Sequence, residues 1–277
     1  CEIGLDFSVA HLREPIDFCI RSWIKCPVET HRDWEDMQKR YDSSDPARFS
    51  EDAPETGKRL TDRTHPIVMN LNGPFWQLRA WLGFERLCLL FHDDPGWIKE
   101  MIAFWEEFTS RLLGRLFACM VPDHVHFSED MAYKAHPMIS PAWTREFLLP
   151  SWSRWSGICH DAGVRVVGID SDGDVSTLIP IMLDAGFDYV DPMEVAAGND
   201  LPALRKEYGK KVAFGGGIDK REIAKGGQHI VREIDRLRPV IESGGYIPSC
   251  DHGIPVDVGW ADFVHYVQTL AKATGWL

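Results

Sequence analysis

The chain has 277 residues, of which 44% are hydrophobic and 26% are charged, and its formal net charge is −12. This composition is typical of a globular protein with a sizeable core, and the length fits one α/β barrel domain rather than a disordered or collagen-like chain. The acidic balance argues against a nucleic-acid partner, and the apolar runs are far shorter than the roughly 20 residues that span a bilayer, so no membrane partner is expected.

The cysteines and the first residues indicate the cellular compartment in which the protein is expected. Seven cysteines are scattered without a C-x-x-C pair, and an odd number argues against a secreted disulfide framework. The opening residues Cys1–Gly4 do not begin the basic-then-apolar order of a signal peptide. We therefore expect a cytoplasmic protein.

Residues 1–64 differ from the rest of the chain. They hold few strand-like runs, many charges and the turn-rich segment Asp42–Pro46. We expect them to form an N-terminal excursion, while residues 65–277 form a (β/α) barrel that makes one structural domain with the preceding segment.

From about residue 65, short β-rich runs alternate with helical patterns, which is the order of βαβ units and a parallel sheet. The predicted strands, most of them apolar and ending in polar or glycine residues, are Pro66–Leu71, His124–Ser128, Arg165–Asp170, Asp188–Asp191, Val212–Gly215 and Gly245–Pro248. A complete TIM barrel has eight strands. The expected fold is therefore a TIM (β/α)8 barrel whose N-terminal strands are missing or irregular, and we favour missing residues.

Helices are predicted between these strands. In Pro95–Phe117, large apolar residues recur at helical spacing, with Asp94 as the predicted cap. Ser140 and Pro141 give the same kind of start to a later helix.

The segment Val167–Asp174 carries the strongest functional signal. An apolar strand runs into Asp170, Asp172 and Asp174, which places carboxylates at the strand end that forms the active face of barrel enzymes. Such carboxylates bind a cation or perturb one another's pKa values, whereas a single one of them could equally cap a loop.

The last predicted strand leads into a loop that holds Cys250 and His252. A thiolate and an imidazole at this spacing are suitable metal ligands, although a buried thiol beside a surface imidazole would give the same sequence.

Other strand ends also carry polar groups. Glu129 and Asp130 follow one strand, and one of them is expected to point inward as a general base or ligand. Glu194 is the inward group predicted after another strand. After a third, three glycines allow close approach of a ligand, and Lys220 or Arg221 could neutralise an anion, although a tight turn with solvent-facing basic residues is the first alternative.

Several of these segments resemble the uroporphyrinogen decarboxylase superfamily over about residues 65–270: Gly215–Arg221, Gly245–His252 and Glu129–Met131. The segments Gly73–Arg79 and Gly83–Glu85 are similar to the branch that contains corrinoid-dependent methyltransferases. The resemblance implies a TIM barrel, and the arginine-rich N-terminal motif of the haem-pathway decarboxylase is not found.

In the methyltransferase branch, a zinc site of the form His-x-Cys with a distant cysteine activates a thiol. Here those positions fall on Asp170, Asp172 and Cys250, so two ligands are changed to oxygen. The resemblance thus implies a divalent metal, zinc first among the alternatives, held by Asp170, Asp172, Cys250 and His252.

Three functions remain open from the sequence. The first is metal-assisted methyl transfer between a small methylated substrate and a corrinoid carried by a partner protein. The second is decarboxylation of a porphyrinogen or a smaller acid, and the third is a non-catalytic barrel that binds a tetrapyrrole or a corrinoid protein. For the first, the predicted catalytic residues are Glu129, Asp170 and Asp172. The predicted substrate-binding residues are Trp76, Arg79, Asp130, Glu194, Gly217 and Arg221. The oligomeric state is open, a homo-oligomer included.

Overall fold

The computed structural model describes residues 2–6 and 20–277 of the chain. Strands β1 (Glu2–Asp6) and β2 (Ile20–Lys25) pair in an antiparallel ladder that is separate from the main sheet.

The main sheet has six parallel strands, which lie side by side in chain order. They are β3 (Val68–Asn72), β4 (His124–Ser128), β5 (Val166–Asp170), β6 (Tyr189–Asp191), β7 (Ala213–Ile218) and β8 (Tyr246–Cys250). Each corresponds to a predicted strand, with β4 at its predicted bounds. In the described part of the chain the sheet does not close, because β3 and β8 remain its edges. The open sheet fits the expected barrel-type fold with irregular first strands.

Helices connect the strands. In the described residues they are α1 (His31–Gln38), α2 (Ala53–Arg59), α3 (Pro74–Leu82), α4 (Phe84–Asp93), α5 (Pro95–Cys119), α6 (Pro141–Trp143), α7 (Leu149–Asp161), α8 (Ile179–Asp184), α9 (Leu201–Tyr208), α10 (Lys220–Lys225), α11 (Gln228–Ser243) and α12 (Trp260–Thr274). A π-helical segment, Thr144–Leu148, joins α6 to α7. Short 3-10 helices occur at Pro46–Arg48, Leu60–Asp62 and Val195–Ala197.

Helix α5 shows how the sequence specifies these elements. Asp94 accepts a hydrogen bond from the Trp97 backbone N–H at 3.0 Å, as its predicted role as N-cap requires. Trp97, Met101 and Trp105 from the predicted apolar stripe are buried. The apolar stripe of α5 therefore packs into the core.

No described helix is both long and apolar enough to cross a membrane.

The two faces of the parallel sheet have different chemistry. Val125, Phe127 and Ile169 belong to the face that packs under the helices, and all three are fully buried. Because successive side chains of a strand point to opposite faces, the residues between them lie on the other side, here called the inner face. On β4 the inner face carries His124, His126 and Ser128, which is a polar lining.

Candidate active site

Two carboxyl groups lie next to each other where the inner face meets the carboxyl ends of the strands. Asp170 ends β5, Asp191 ends β6, and the two are register partners. Ser128, which ends β4, is the register partner of Asp170 on its other side. The carboxyl ends of parallel strands form the functional edge of barrel enzymes. This edge, called the mouth below, is the candidate site.

Asp170 is held by donors from β4. Its Oδ1 accepts the backbone N–H of Glu129 at 3.1 Å, and the Ser128 hydroxyl also donates to it. Burial raises the pKa of Asp170 to about 6, the hydrogen bonds oppose this rise, and repulsion from Asp172 and Asp130 adds to it. Asp170 is therefore a carboxyl group that takes up a proton just below neutral pH.

Asp191 has different neighbours. Its Oδ2 accepts a hydrogen bond from the Tyr189 hydroxyl at 3.2 Å, and His126 Nε2 lies 3.3 Å from its Oδ1. Burial, with repulsion from Asp170 as the next cause, raises the pKa of Asp191 to about 7. Two like charges this close disfavour full ionisation, so the pair retains a proton near neutral pH.

Asp172 lies further out at the mouth. Its Oδ1 is 3.4 Å from His252 Nδ1. Burial raises the pKa of Asp172, while His252 opposes that rise. Glu194 is close enough to raise the pKa of Asp172 further, and it accepts from Lys220 Nζ at 3.1 Å and from the Gly173 backbone at 3.1 Å. The third carboxylate of the predicted cluster, Asp174, accepts from the Ser176 backbone, which is the loop-capping alternative.

Asp130, Arg79 and Trp76 form the opposite rim. Arg79 donates to the Asp130 carboxylate at 2.6 Å and to its carbonyl at 3.1 Å, and its guanidinium lies 4.2 Å from the centre of the Trp76 ring. Asp130 has a φ of 41°, which is unusual for a non-glycine residue. The paired guanidinium holds this strained turn in place. A cavity of about 540 Å³ opens beside it, with Phe84 and Tyr133 among its walls.

The structure places Glu129 elsewhere. Its side chain is fully buried, and its oxygens accept the Trp152 indole N–H at 2.6 Å and the Trp76 backbone N–H at 3.1 Å. The Phe75 backbone donates as well, so Glu129 caps the first turn of α3. Burial raises its pKa to about 8, against the effect of these donors. Of Glu129 and Asp130, one was expected to point inward; Glu129 does not, because Ser128 occupies the inner face and the next side chain turns outward.

Only part of the predicted metal-ligand set is brought together: Asp172 Oδ1 lies 3.4 Å from His252 Nδ1, and no third predicted ligand joins them in the described part of the chain. Cys250 packs against the hydrophobic core, and its Sγ lies 4.0 Å from Asp251 Oδ1. Burial raises the pKa of the Cys250 thiol. In the part of the chain whose side chains are described, no group of three His, Cys, Asp or Glu residues is arranged to hold a metal ion. The described residues do not fit a metal in this geometry.

Gly217 and Arg221, which were predicted to bind a ligand, instead contact other residues of the chain. Gly217 lies within β7 at a φ of 77°, and an added Cβ would approach Leu201 at 2.8 Å. Arg221 is paired with Asp219, its Nη2 donating to Oδ2 at 2.7 Å. The basic group expected to bind an anion is therefore already neutralised by its own loop.

Sequence reasoning missed the role of His126 and Tyr189 beside Asp191. The signal was present: in His124–Ser128, polar residues alternate with Val125 and Phe127, so one face of a buried strand had to be polar. The alternation predicts which side chains share a face with the acidic strand ends.

Two solved structures share the fold of this chain. A methyltransferase from Methanosarcina mazei aligns with a TM-score of 0.60 and 15% sequence identity over 80% of this chain and 62% of that one. A B12-independent methionine synthase from Shewanella sp. W3-18-1, in complex with selenomethionine, aligns with a TM-score of 0.51 and 12% identity over 82% of this chain and 67% of that one. The chain thus spans less than two thirds of the Methanosarcina enzyme. None of the family models and none of the curated protein sequences compared with the chain matches it. At these identities the likeness shows the fold, and it confirms the fold that the resemblance in the sequence implied.

Proposed function

We propose that the chain is an enzyme that transfers a methyl group from a small methylated substrate, and that Asp191 is the acid that protonates the leaving heteroatom. The observation that carries this proposal is the Asp170–Asp191 pair, in which burial and mutual repulsion keep a proton near neutral pH. A general acid is most effective when its pKa lies near the working pH. The methyltransferase among the structural neighbours supports the reaction class.

In the proposed reaction, the bond between the methyl carbon and the heteroatom breaks, and its electron pair stays on the heteroatom. A nucleophile forms the new bond to the methyl carbon, while the heteroatom takes the proton of Asp191. Without that proton the leaving group departs as an anion, so general acid catalysis contributes roughly 10²–10⁴-fold.

The charges at the mouth favour a neutral or cationic substrate. The pair Asp170 and Asp191 is joined there by Asp172, whereas the guanidinium of Arg79 on the opposite rim is already bound to Asp130. A porphyrinogen with many carboxylates would meet repulsion at this surface. These charges therefore favour methyl transfer over the decarboxylase alternative.

The acceptor in this proposal is a corrinoid on a partner protein, which would supply the nucleophile for the methyl group. The chain itself then needs no cradle for the cofactor, and its own residues bind and protonate the substrate. A divalent metal also stays a prediction of the sequence, and the metal content of the purified protein, compared with that of the Asp172→Ala variant, tests it directly.

The experiment mixes the protein with cob(I)alamin and a panel of methyl ethers, methyl thioethers and methylamines, and follows methylcobalamin by its absorbance. We expect wild-type protein to transfer methyl groups from one class, and Asp191→Asn to lose at least a hundredfold in rate, since the amide cannot donate a carboxyl proton. Asp184→Asn, at an exposed ion pair with Arg145, is the matched control and should keep the wild-type rate.

The rate of methyl transfer should also depend on pH. The rate should fall as pH rises through about 7, because the acid must hold its proton in order to donate it. Absence of transfer from all three classes, or an Asp191→Asn rate equal to that of wild type, contradicts the proposal.

A further inference from the structure

The cavity of about 540 Å³ beside Arg79, called the rim cavity below, lies between the start of α4 and the segment that follows β4. Phe84, Tyr133, Pro137 and Met138 form apolar parts of its wall. An engineered apolar cavity of about 150 Å³ in another protein already binds benzene. The rim cavity therefore has the volume for a substituted aromatic ring.

The wall that carries Tyr133 is a short hairpin held by backbone hydrogen bonds. The backbone N–H of Tyr133 donates to the His136 carbonyl at 2.9 Å, and that of Met138 donates to the Met131 carbonyl at 2.8 Å. Met131 is fully buried, which anchors the hairpin in the core, yet the Tyr133 side chain is 74% exposed. The hairpin thus holds an aromatic ring in solvent at the edge of a cavity, where a bound ligand would cover it.

Phe84 is exposed on the other side of the rim cavity. It is the first residue of α4, and 48% of it is exposed, whereas Leu87 and Phe91 of the same helix are buried. Exposed aromatic residues that line a cavity are typical of binding sites for small molecules. Phenyl and phenol rings, like a methionine thioether, make favourable contacts with the face or the edge of another aromatic ring. The wall therefore favours an aromatic ligand.

The charges beside the rim cavity favour a neutral ring that carries an oxygen. Arg79 donates from Nη2 to the Asp130 carboxylate at 2.6 Å and from Nη1 to the Asp130 carbonyl at 3.1 Å. A ligand carboxylate would have to compete with Asp130 for this guanidinium. These bonds use two of its five N–H groups, so Arg79 retains donors for an uncharged oxygen, which accepts better than a thioether sulfur.

The rim cavity adjoins the mouth. The backbone N–H of Asp174 donates to the Tyr133 carbonyl at 2.9 Å, and a Cβ added at Gly173 would lie 2.6 Å from the carbonyl carbon of Ala132. The hairpin therefore packs directly on the loop that carries Asp172. A ring in the rim cavity can present a substituent to the carboxyl groups of the mouth.

We propose that the rim cavity binds the aromatic ring of the substrate, and that the substrate is an aryl methyl ether. This rests on the proposed function, because the cavity selects the ring and only the reaction requires the methyl group. In that reaction the bond between the methyl carbon and the ether oxygen breaks, and the methyl carbon bonds to the nucleophile of the acceptor. The oxygen keeps the electron pair and takes the proton of the general acid, which gives a phenol. Tyr133 and Phe84 determine specificity, since they contact the ring and take no part in the bond changes.

A binding experiment tests the ring site without turnover. A para-fluorinated methoxybenzene is titrated with the protein, and its fluorine NMR signal reports the bound fraction. We expect saturable binding that is roughly tenfold weaker in Tyr133→Ala and in Phe84→Ala, because each change removes an aromatic contact and the apolar area that it covers. Tyr133→Phe keeps the ring and should bind as wild type does. Leu89→Ala is the matched control, since Leu89 is an exposed apolar residue of α4 away from the cavity wall.

The pattern across these variants decides the matter. Weaker binding in both alanine variants, with wild-type affinity in Tyr133→Phe and Leu89→Ala, supports the proposal. Absence of saturable binding, wild-type affinity in either alanine variant, or an equal loss in Leu89→Ala overturns it. Cyclohexyl methyl ether is the competitor without an aromatic ring, and tighter binding of that ether also overturns it. Tyr133 and Phe84 are exposed, so their replacement leaves the core intact.

The ring site and the proposed function can fail separately. If the aryl ether binds as expected but no methyl group is transferred from any ether, thioether or methylamine, the proposed function is refuted and the ring site stands. If methyl groups are transferred only from substrates without an aromatic ring, the aryl ether assignment is refuted and the proposed function stands.

Discussion

Replacing Glu129 with glutamine should remove a large part of the pH dependence of stability. The Glu129 side chain is fully buried, and burial raises its pKa from the ordinary value of 4.5 to about 8. A carboxyl group whose folded-state pKa is raised contributes stability that is fully present below its unfolded pKa and is lost as pH rises through the folded pKa. The window is therefore pH 4.5 to 8, and the free energy of unfolding should fall across it.

The magnitude follows from the pKa difference. At about 1.4 kcal/mol for each pH unit, the interval from 4.5 to about 8 corresponds to roughly 5 kcal/mol. Other raised carboxyl groups, such as Asp170 and Asp191, add slopes of the same sign in both proteins. The comparison between wild type and Glu129→Gln isolates the share of Glu129, which should approach 1.4 kcal/mol for each pH unit in the middle of the window.

Urea unfolding of both proteins at pH 5, 6, 7 and 8 measures this share. Glu146→Gln is the control, since Glu146 is half exposed and paired with Lys99, and its curve should run parallel to that of wild type. If the difference between wild type and Glu129→Gln stays constant with pH, then the two backbone N–H donors at the start of α3 and the Trp152 indole hold Glu129 ionised, and burial does not raise its pKa as expected.

Further predictions concern the free energy of unfolding after single substitutions at two glycines and at Trp152. Gly215→Ala should lower the free energy of unfolding by about 1–3 kcal/mol, because its Cβ would collide with the Tyr189 hydroxyl. Gly114→Ala, in α5 with no atom near an added Cβ, should raise it by about 0.5–1 kcal/mol, and urea unfolding measures both. Trp152→Phe should cost about 1–3 kcal/mol through the lost hydrogen bond to Glu129, with a greater loss at pH 8 than at pH 5 if ionised Glu129 needs that donor most. An equal loss at the two pH values would contradict the last expectation.

The sequence predicted where the site lies better than which side chains form it. Strands such as β4 and β5 were predictable because a buried parallel strand is a short apolar run that ends in polar residues. The location of the mouth followed from that, since parallel strands place their ends at one edge. The antiparallel pairing of β1 with β2 was not predictable, because residues 1–64 carry no clear alternation of apolar and polar positions.

The sequence prediction failed on which face of the sheet each polar side chain points to. The reason is that side chains alternate between the two faces with a period of two residues. Counting from Phe127, which packs in the core, places Glu129 on the same outward face and Ser128 on the inner face. The same count from Tyr246, whose hydroxyl donates to the Gly216 carbonyl, places Cys250 with it on the helix side of β8. A shift of one residue exchanges the two faces, so strand ends alone do not decide which polar group reaches the site.

The two carboxyl groups that do share the inner face are held by different partners, and this difference separates their roles. Asp170 accepts hydrogen bonds from the Glu129 backbone and the Ser128 hydroxyl, which stabilise its charged form and bring its pKa to about 6 rather than higher. Asp191 faces the uncharged His126, and its pKa of about 7 is the higher of the two. As pH falls, Asp191 therefore takes the first proton while Asp170 stays ionised, and that negative charge strengthens the hold of Asp191 on its proton. Pairs whose surroundings separate their pKa values identify the acid and the anion of a site. On that principle we propose Asp191 as the proton donor and Asp170 as the group that attracts a substrate or fixes its orientation, whereas the sequence had emphasised Asp170 and Asp172.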